Sequence, residues 1–284
     1  MKAHANKKKN HKEQIQKVAS WYVDELEKEI GLDRQLHGKK ELPKTEKTQS
    51  ASITVSDVDP KSGLFHKGEH KEVFAYNVQT ACDKKAYGLE YKVHPGNDHD
   101  SKTFPALYDT IRKLKPEMMV FDADYKTPAI ARRLLEEEVK PIFPYTRPKG
   151  KKELFFKKEF IYDECFDCYL CPNDQPIKYS TTNREGYREY KSDPNVCKDC
   201  PPRDQCTKSK NMIKVVTRHV GQDYLEEAEE LRHVRGVKDI YAKRKEPIER
   251  VFNLSKEVFG FRYTMLIGKR SMEITAALTY APII

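Results

Sequence analysis

A mixed α/β fold is what the sequence predicts, and three observations predict it. Residues Phe74 to Val93 alternate apolar and polar side chains around the turn-like Asp83 to Lys85, the pattern of a hairpin. After Pro95, Gly96 and Asn97 comes a helical pattern over Ser101 to Leu114, capped by Asp100 or Ser101. A short apolar strand, MMVF, then leads to a helix through Ile130, Leu134 and Leu135 and to a second strand, PIFPY, closing at Tyr145. Hairpin, helix, strand, helix, strand is an order that several α/β folds share.

Composition narrows the partners. The 284 residues carry 53 Lys and Arg against 44 Asp and Glu, and the net charge of +9 favours an anionic partner such as nucleic acid. A hydrophobic content of 38% is low but sufficient for a core. No run approaches a membrane span, and the Lys-rich start leads into no apolar region. The expectation is a cytoplasmic, nucleoid-associated protein with no membrane partner.

Residues 1–17 hold six lysines, which read either as a basic arm touching phosphates or as a solvated tail. Ile15, Val18, Tyr22, Leu26 and Ile30 recur at helical spacing up to Gly31, predicting one amphipathic helix with a glycine stop. Residues 32–50 are polar and Lys-rich and read as a linker.

The stretch Tyr241 to Thr264 combines an apolar stripe with charge in register. Pro247 suits the first position of a helix, and Ile248, Val251, Phe252, Ser255 and Phe259 would form its buried face. Glu249 and Lys256 fall within roughly 20° of each other and about 10 Å apart along the axis, too far for an ordinary ion pair. Such a carboxylate can hold a divalent metal and such an ammonium a phosphate. A half-buried helix with a solvated charged flank shows the same spacing. Asp122 ends an apolar strand, and because Thr127 and Pro128 already supply the next helix start, its carboxyl is left over.

Six of the seven cysteines lie between Cys165 and Cys206 in short spacings. In a chain with no export signal this points to reduced thiols and a metal before disulfides. The preferred zinc ligands are Cys168, Cys171, Cys197 and Cys200, with Cys206 the alternative; small buried residues in a strand-rich insert are the other reading. Cys82 stands alone and reads as core. Arg147, Lys149, Lys151, Lys152, Lys157 and Lys158 flank the insert and could meet a DNA backbone, or line a solvated loop. His219 reads as structural before it reads as a phosphate contact.

Tyr241, Arg244, Glu249 and Lys256 resemble the Tyr-Arg-Glu-Lys signature of bacterial DDE-type insertion-sequence transposases, although Arg244 to Glu249 is one residue longer than usual. SxxDPxSG (Ser56 to Gly63), YNVQTACD (Tyr76 to Asp83), HPGNDHDS (His94 to Ser101) and FDADYKTP (Phe121 to Pro128) precede it in the family's order. The resemblance runs from about Lys2 to Thr279. It implies a ribonuclease H-like mixed sheet with flanking helices, interrupted by a Cys-rich, strand-containing insert. The expected boundaries are 1–50 for the basic arm, helix and linker, 51–150 for the first part of the core, 151–212 for the insert and 213–284 for the C-terminal helical part.

The activity implied is two-metal cleavage and strand transfer at insertion-sequence ends. Mg²⁺ or Mn²⁺ would be held by Asp122 and Glu249, the second and third of three acids, with Tyr241, Arg244 and Lys256 on the DNA. Partners would be the element's ends and target DNA, with a homodimer as a further expectation. Asp124 stands where the family has Gly. The family's first acid lies in an Asp-Gly-Thr sequence just upstream of a segment similar to KAHANKKK, whereas this chain starts at Met1; the expectation is therefore a truncated, catalytically impaired copy. Asp57 and Asp59 match a later motif beside Pro60 and are not expected to replace that acid. A non-catalytic, zinc-stabilised DNA-binding regulator and a hydrolytic nuclease are the competing readings.

Overall fold

The computed structural model describes residues 9–18, 21–43, 48–67, 71–148 and 150–282. Residues 1–8 of the expected basic arm, and Lys149, lie outside them.

Strand β1 (Asn10–Val18) pairs antiparallel with β2 (Thr48–Ser56), from Asn10 opposite Ser56 to Val18 opposite Thr48. The helix expected from Ile15 is thus a strand as far as Val18. Helix α1 (Val23–Leu36) starts later and passes through Gly31 instead of stopping there. An isolated amphipathic helix is marginal in water, and the partner TQSASITVS, rich in Ser, Thr and β-branched residues, offers the backbone a full ladder instead. The helix stops at His37, whose N–H donates to Asp33 O (3.2 Å), and Gly38 follows at φ +64°. The expected linker is accordingly helical at its start and β-paired at its end.

The hairpin forms as expected. β3 (Gly63–Lys67), β4 (Lys71–Cys82) and β5 (Gly88–Pro95) make an antiparallel sheet in that order, with Val78 opposite Val93. Helix α2 (Asp100–Ile111) begins one residue earlier than its expected caps, because His99 is the N-cap and its Nδ1 accepts the Ser101 N–H (3.3 Å). β6 (Met118–Val120), α3 (Pro128–Glu136) and β7 (Lys140–Ile142) form a parallel crossover with Val120 opposite Ile142. Thr127 caps α3 by accepting the Ile130 N–H, and Pro128 stands at its start, where a missing N–H costs nothing.

An antiparallel sheet of five strands follows: β8 (Ile161–Asp163), β9 (Cys168–Leu170), β10 (Pro176–Thr182), β11 (Tyr187–Lys191) and β12 (Val215–His219), side by side in chain order. Short helices α4 (Pro194–Lys198) and α5 (Arg203–Cys206) interrupt β11 and β12, and α6 (Gln222–Glu230) comes after them. The chain ends with α7 (Val237–Lys243), α8 (Lys245–Asn253) and α9 (Lys269–Tyr280).

Two compact units result. The first comprises residues 1–21, 46–144 and 227–284; the second comprises 22–45 and 145–226. Helix α1, expected with the basic arm, and β12, expected in the C-terminal part, both belong to the second. Its core is Phe160, Tyr169, Ile177, Tyr190 and Val216. In the first unit Val251 of α8 and Met272, Ala276 and Tyr280 of α9 pack on Tyr76 and Val93 of the hairpin. The architecture is mixed α/β with several sheets. Among the described residues no helix is long and apolar enough to cross a membrane.

Candidate active site

Asp122 stands two residues after the end of β6. It caps the single turn Ala123–Tyr125, where its Oδ1 accepts the Ala123 N–H (2.7 Å), and two-thirds of the side chain (68%) remains exposed. Such a position at the C-terminal end of a parallel strand leaves a carboxylate oxygen free to meet a ligand.

The motifs flanking Asp122 form a hydrogen-bonded frame beneath it. Asn77 Nδ2 donates to Asp100 Oδ1 (2.5 Å), and Gln79 Nε2 donates to both Asp100 O (3.0 Å) and Tyr125 Oη (3.0 Å). The start of α2, the hairpin strand β4 and the turn after Asp122 are therefore tied through one buried glutamine. Burial, followed by the Asp100 charge, raises the Tyr125 pKa and keeps it a neutral partner. Sequence reading missed Asn77 and Gln79 as positioning residues, although YNVQ and HPGNDHDS contain both ends of the network.

A second tie fixes the loop before β3. Asp59 is fully buried and accepts Tyr76 O–H (2.8 Å) and the Gly268 N–H (3.3 Å). Asp57 is exposed and pairs with His11 (2.6 Å). Gly63 is required by close approach, since a Cβ there would stand 2.0 Å from Asn97 Oδ1.

Helices α7 and α8 are one helical run broken at Arg244. Pro247 has no N–H to give the Lys243 carbonyl four residues back, so the ladder lapses at the junction. Pro247 is consequently the third residue of α8 and not its first. The break delivers Arg244 to Asp122: Arg244 Nη2 lies 3.8 Å from Asp122 Oδ1, and the guanidinium stacks on Tyr241, 5.4 Å from the ring centre. Arg244 Nε is buried without a hydrogen-bond partner among the described residues.

Glu249 follows on α8, about 7.5 Å further along the axis than Arg244. Val251 and Ser255 are buried as the stripe requires, and Ile248 and Phe252 are half-buried, but Phe259 is exposed. After Asn253 the helix widens into a π turn over Leu254–Val258, closed by the Phe259 N–H to Leu254 O (3.1 Å). That turn carries Lys256, whose Nζ sits 5.0 Å over the Phe252 ring. Glu249, Phe252, Asn253 and Lys256 line one open surface groove. Carboxylate and ammonium therefore border a common surface, as their spacing suggests. Among the described residues no group of three or more His, Cys, Asp or Glu is arranged to hold a metal ion.

In the second unit the cysteines divide by strand parity. Cys168 is buried within β9, opposite Lys178 of β10. Cys171, three positions on, falls on the other face together with Tyr169 and packs with Cys206 against the core. Cys171, Cys197, Cys200 and Cys206 line one cavity; Cys168 does not. Burial, reinforced by the neighbouring Cys197 and Cys171, raises the Cys200 thiol. His219 is structural: its Nδ1 accepts the Gly221 N–H (3.0 Å), its ring meets Tyr187 edge-on, and burial lowers its pKa.

Residues 170–283, from the end of β9 through α9, match the family model of a transposase DDE domain. The matched segment contains Tyr241, Arg244, Glu249, Lys256 and the four cavity cysteines. No curated protein and no solved structure matches the chain.

Proposed function

We propose that this chain is a DDE-type transposase subunit acting on insertion-sequence ends, with Asp122 and Glu249 as two of its metal-binding acids. The observation that carries the reading is the approach of Arg244 to Asp122 (3.8 Å), which brings the Tyr-Arg-Glu-Lys helix to the FDADY turn. Exposed carboxylates are the hard oxygen donors that Mg²⁺ or Mn²⁺ takes, and the Asp122 side chain is largely exposed. The ions, once bound, would activate the attacking oxygen and neutralise charge on the leaving one. Glu249 and Lys256, along one groove, suit a phosphate backbone bridged by metal at one end and ammonium at the other. Tyr241 holds the Arg244 plane in place.

The family's Asp-Gly-Thr sequence does not occur in the 284 residues. With two acids the ion pair lacks a shared ligand, so these residues alone should nick DNA poorly. Supplying a segment that carries the Asp-Gly-Thr sequence should restore Mg²⁺-dependent cleavage at the ends, and Asp122→Ala or Glu249→Ala should each abolish it. Cleavage in the restored protein that is indifferent to both substitutions would overturn the assignment. A second reading is a DNA-binding regulator without catalysis, stabilised by metal at the cysteine cavity. That reading predicts DNA binding that survives both substitutions but is lost with a chelator.

A further inference from the structure

The geometry points to a structural zinc site made by Cys171, Cys197, Cys200 and Cys206 in the five-stranded unit. These four thiols come from three separate pieces of chain and border one cavity of about 230 Å³. Cys171 opens the turn after β9, where its N–H donates to Gln175 O (3.0 Å) and its carbonyl accepts the Asp174 N–H (2.8 Å). Cys197 and Cys200 belong to the turn that ends α4, with the Cys200 N–H directed at Cys197 O (3.4 Å). Cys206 ends α5. Two tight turns and a helix end bring the four thiols to the border of one space; they do not stand in metal-holding positions as the chain lies here, and an ion with bonds of about 2.3 Å would draw them together by side-chain rotation.

Charge supports the same assignment. A divalent ion with four thiolates carries a net charge of −2, and Lys178, Arg203 and Lys214 line the cavity. Lys214 is anchored there by its bond to Cys206 O (2.9 Å). All seven cysteines are free thiols, and Cys197 Sγ donates to Ser192 Oγ (3.2 Å). Uptake of zinc turns the four sulfurs inward and releases one proton from each to solvent, with no change of oxidation state. Cys168 is left out because an odd spacing along a strand puts it on the opposite face from Cys171.

The site is independent of the transposition chemistry, and its test reads metal directly. Reduced full-length chain stripped of metal and titrated with Co²⁺ should take up one ion with the intense absorption of thiolate-bound tetrahedral cobalt, and Zn²⁺ should bleach it stoichiometrically. Cys171→Ser, Cys197→Ser, Cys200→Ser and Cys206→Ser should each weaken binding about a hundredfold or more, while Cys168→Ser and Cys165→Ser leave it within a few-fold. Cys206→His, which keeps a zinc ligand, should retain the ion and so separates loss of a ligand from loss of the fold. Failure of Cys206→His to bind while Cys206→Ser binds normally, equal losses from Cys168→Ser, or no cobalt spectrum at all would each overturn the site.

Discussion

The carboxylate site of the first unit and the thiol cavity of the second are built in opposite ways. Asp122 stands exposed on a single turn, which is tied through the Tyr125 hydroxyl to Gln79 and so to Asp100, and Arg244 approaches it to 3.8 Å. The thiols sit against a sheet held by buried ion pairs and tyrosine hydroxyls. Asp33 of α1, almost fully buried, accepts Arg188 Nε (2.6 Å) and Thr182 O–H, and Arg34 donates to Thr182 O (2.7 Å). Asp167 accepts hydroxyls of Tyr162 (2.8 Å) and Tyr190 (2.6 Å) and meets His37 Nε2 (2.5 Å). A site that must exchange ligands keeps its reactive group out of the network, whereas a site that only holds its ligand can be built into one.

The contrast breaks first, and most heavily, at Asp33. Asp33→Ala leaves Arg188 and the Thr182 hydroxyl without their partner, and breaking a buried pair in this way costs about 3–5 kcal/mol. Hydrogen exchange should show β10 and β11 losing protection while β4 and β5 keep theirs; unchanged exchange in β10 would mean that the pair contributes little.

A smaller effect is expected at Asp167. Burial pushes its carboxyl upward, but hydrogen bonds from Tyr190, Tyr162 and His37 outweigh burial and hold its pKa below the usual Asp value. A pKa depressed in the folded state contributes stability above the unfolded value, about 3.9, and that contribution disappears as pH falls through the folded one. Asp167→Asn should therefore lower stability at pH 7 by about 1–3 kcal/mol. Urea midpoints of the two proteins should converge as pH drops below about 4, and a gap that stays constant down to pH 3 would remove Asp167 as its source.

The two units also differ in how far they could be read from the chain. The hairpin, α2, β6, α3 and β7 follow their local patterns because period two or Pro and Thr start signals agree with the packing they meet. Asn10 to Ile30 shows where pattern alone fails. Ile15 to Ile30 keeps a helical period, yet β2, about thirty residues further on, takes the first half as a strand, and a remote partner leaves no mark in a local window. The cysteine spacing did not reveal which thiols share the cavity, for a related reason. Cys168 and Cys171 look like one knuckle until β9 is known to be a strand, and then parity sends them to opposite faces. In the proposed carboxylate site, Asp122, Glu249 and Lys256 were singled out by their resemblance to transposase motifs, since on spacing alone a solvated charged flank fits as well. The Arg244 junction was not legible, because the effect of Pro247 depends on whether the helix begins at it or before it.

The smallest expected effect on folding is the most informative about function. Asp122→Asn keeps an oxygen that can accept the Ala123 N–H, and the side chain is largely exposed, so unfolding free energy should stay within about 0.5 kcal/mol of the parent. The charge that attracts a divalent ion and faces Arg244 is nevertheless lost. Calorimetric Mn²⁺ binding should weaken at least tenfold in the variant while its melting temperature holds. A several-degree drop in melting temperature with unchanged Mn²⁺ affinity would make Asp122 a structural cap and nothing more. The difference between Asp33 and Asp122 would then be one of burial alone, with no separation between a residue that builds the fold and one kept free for chemistry.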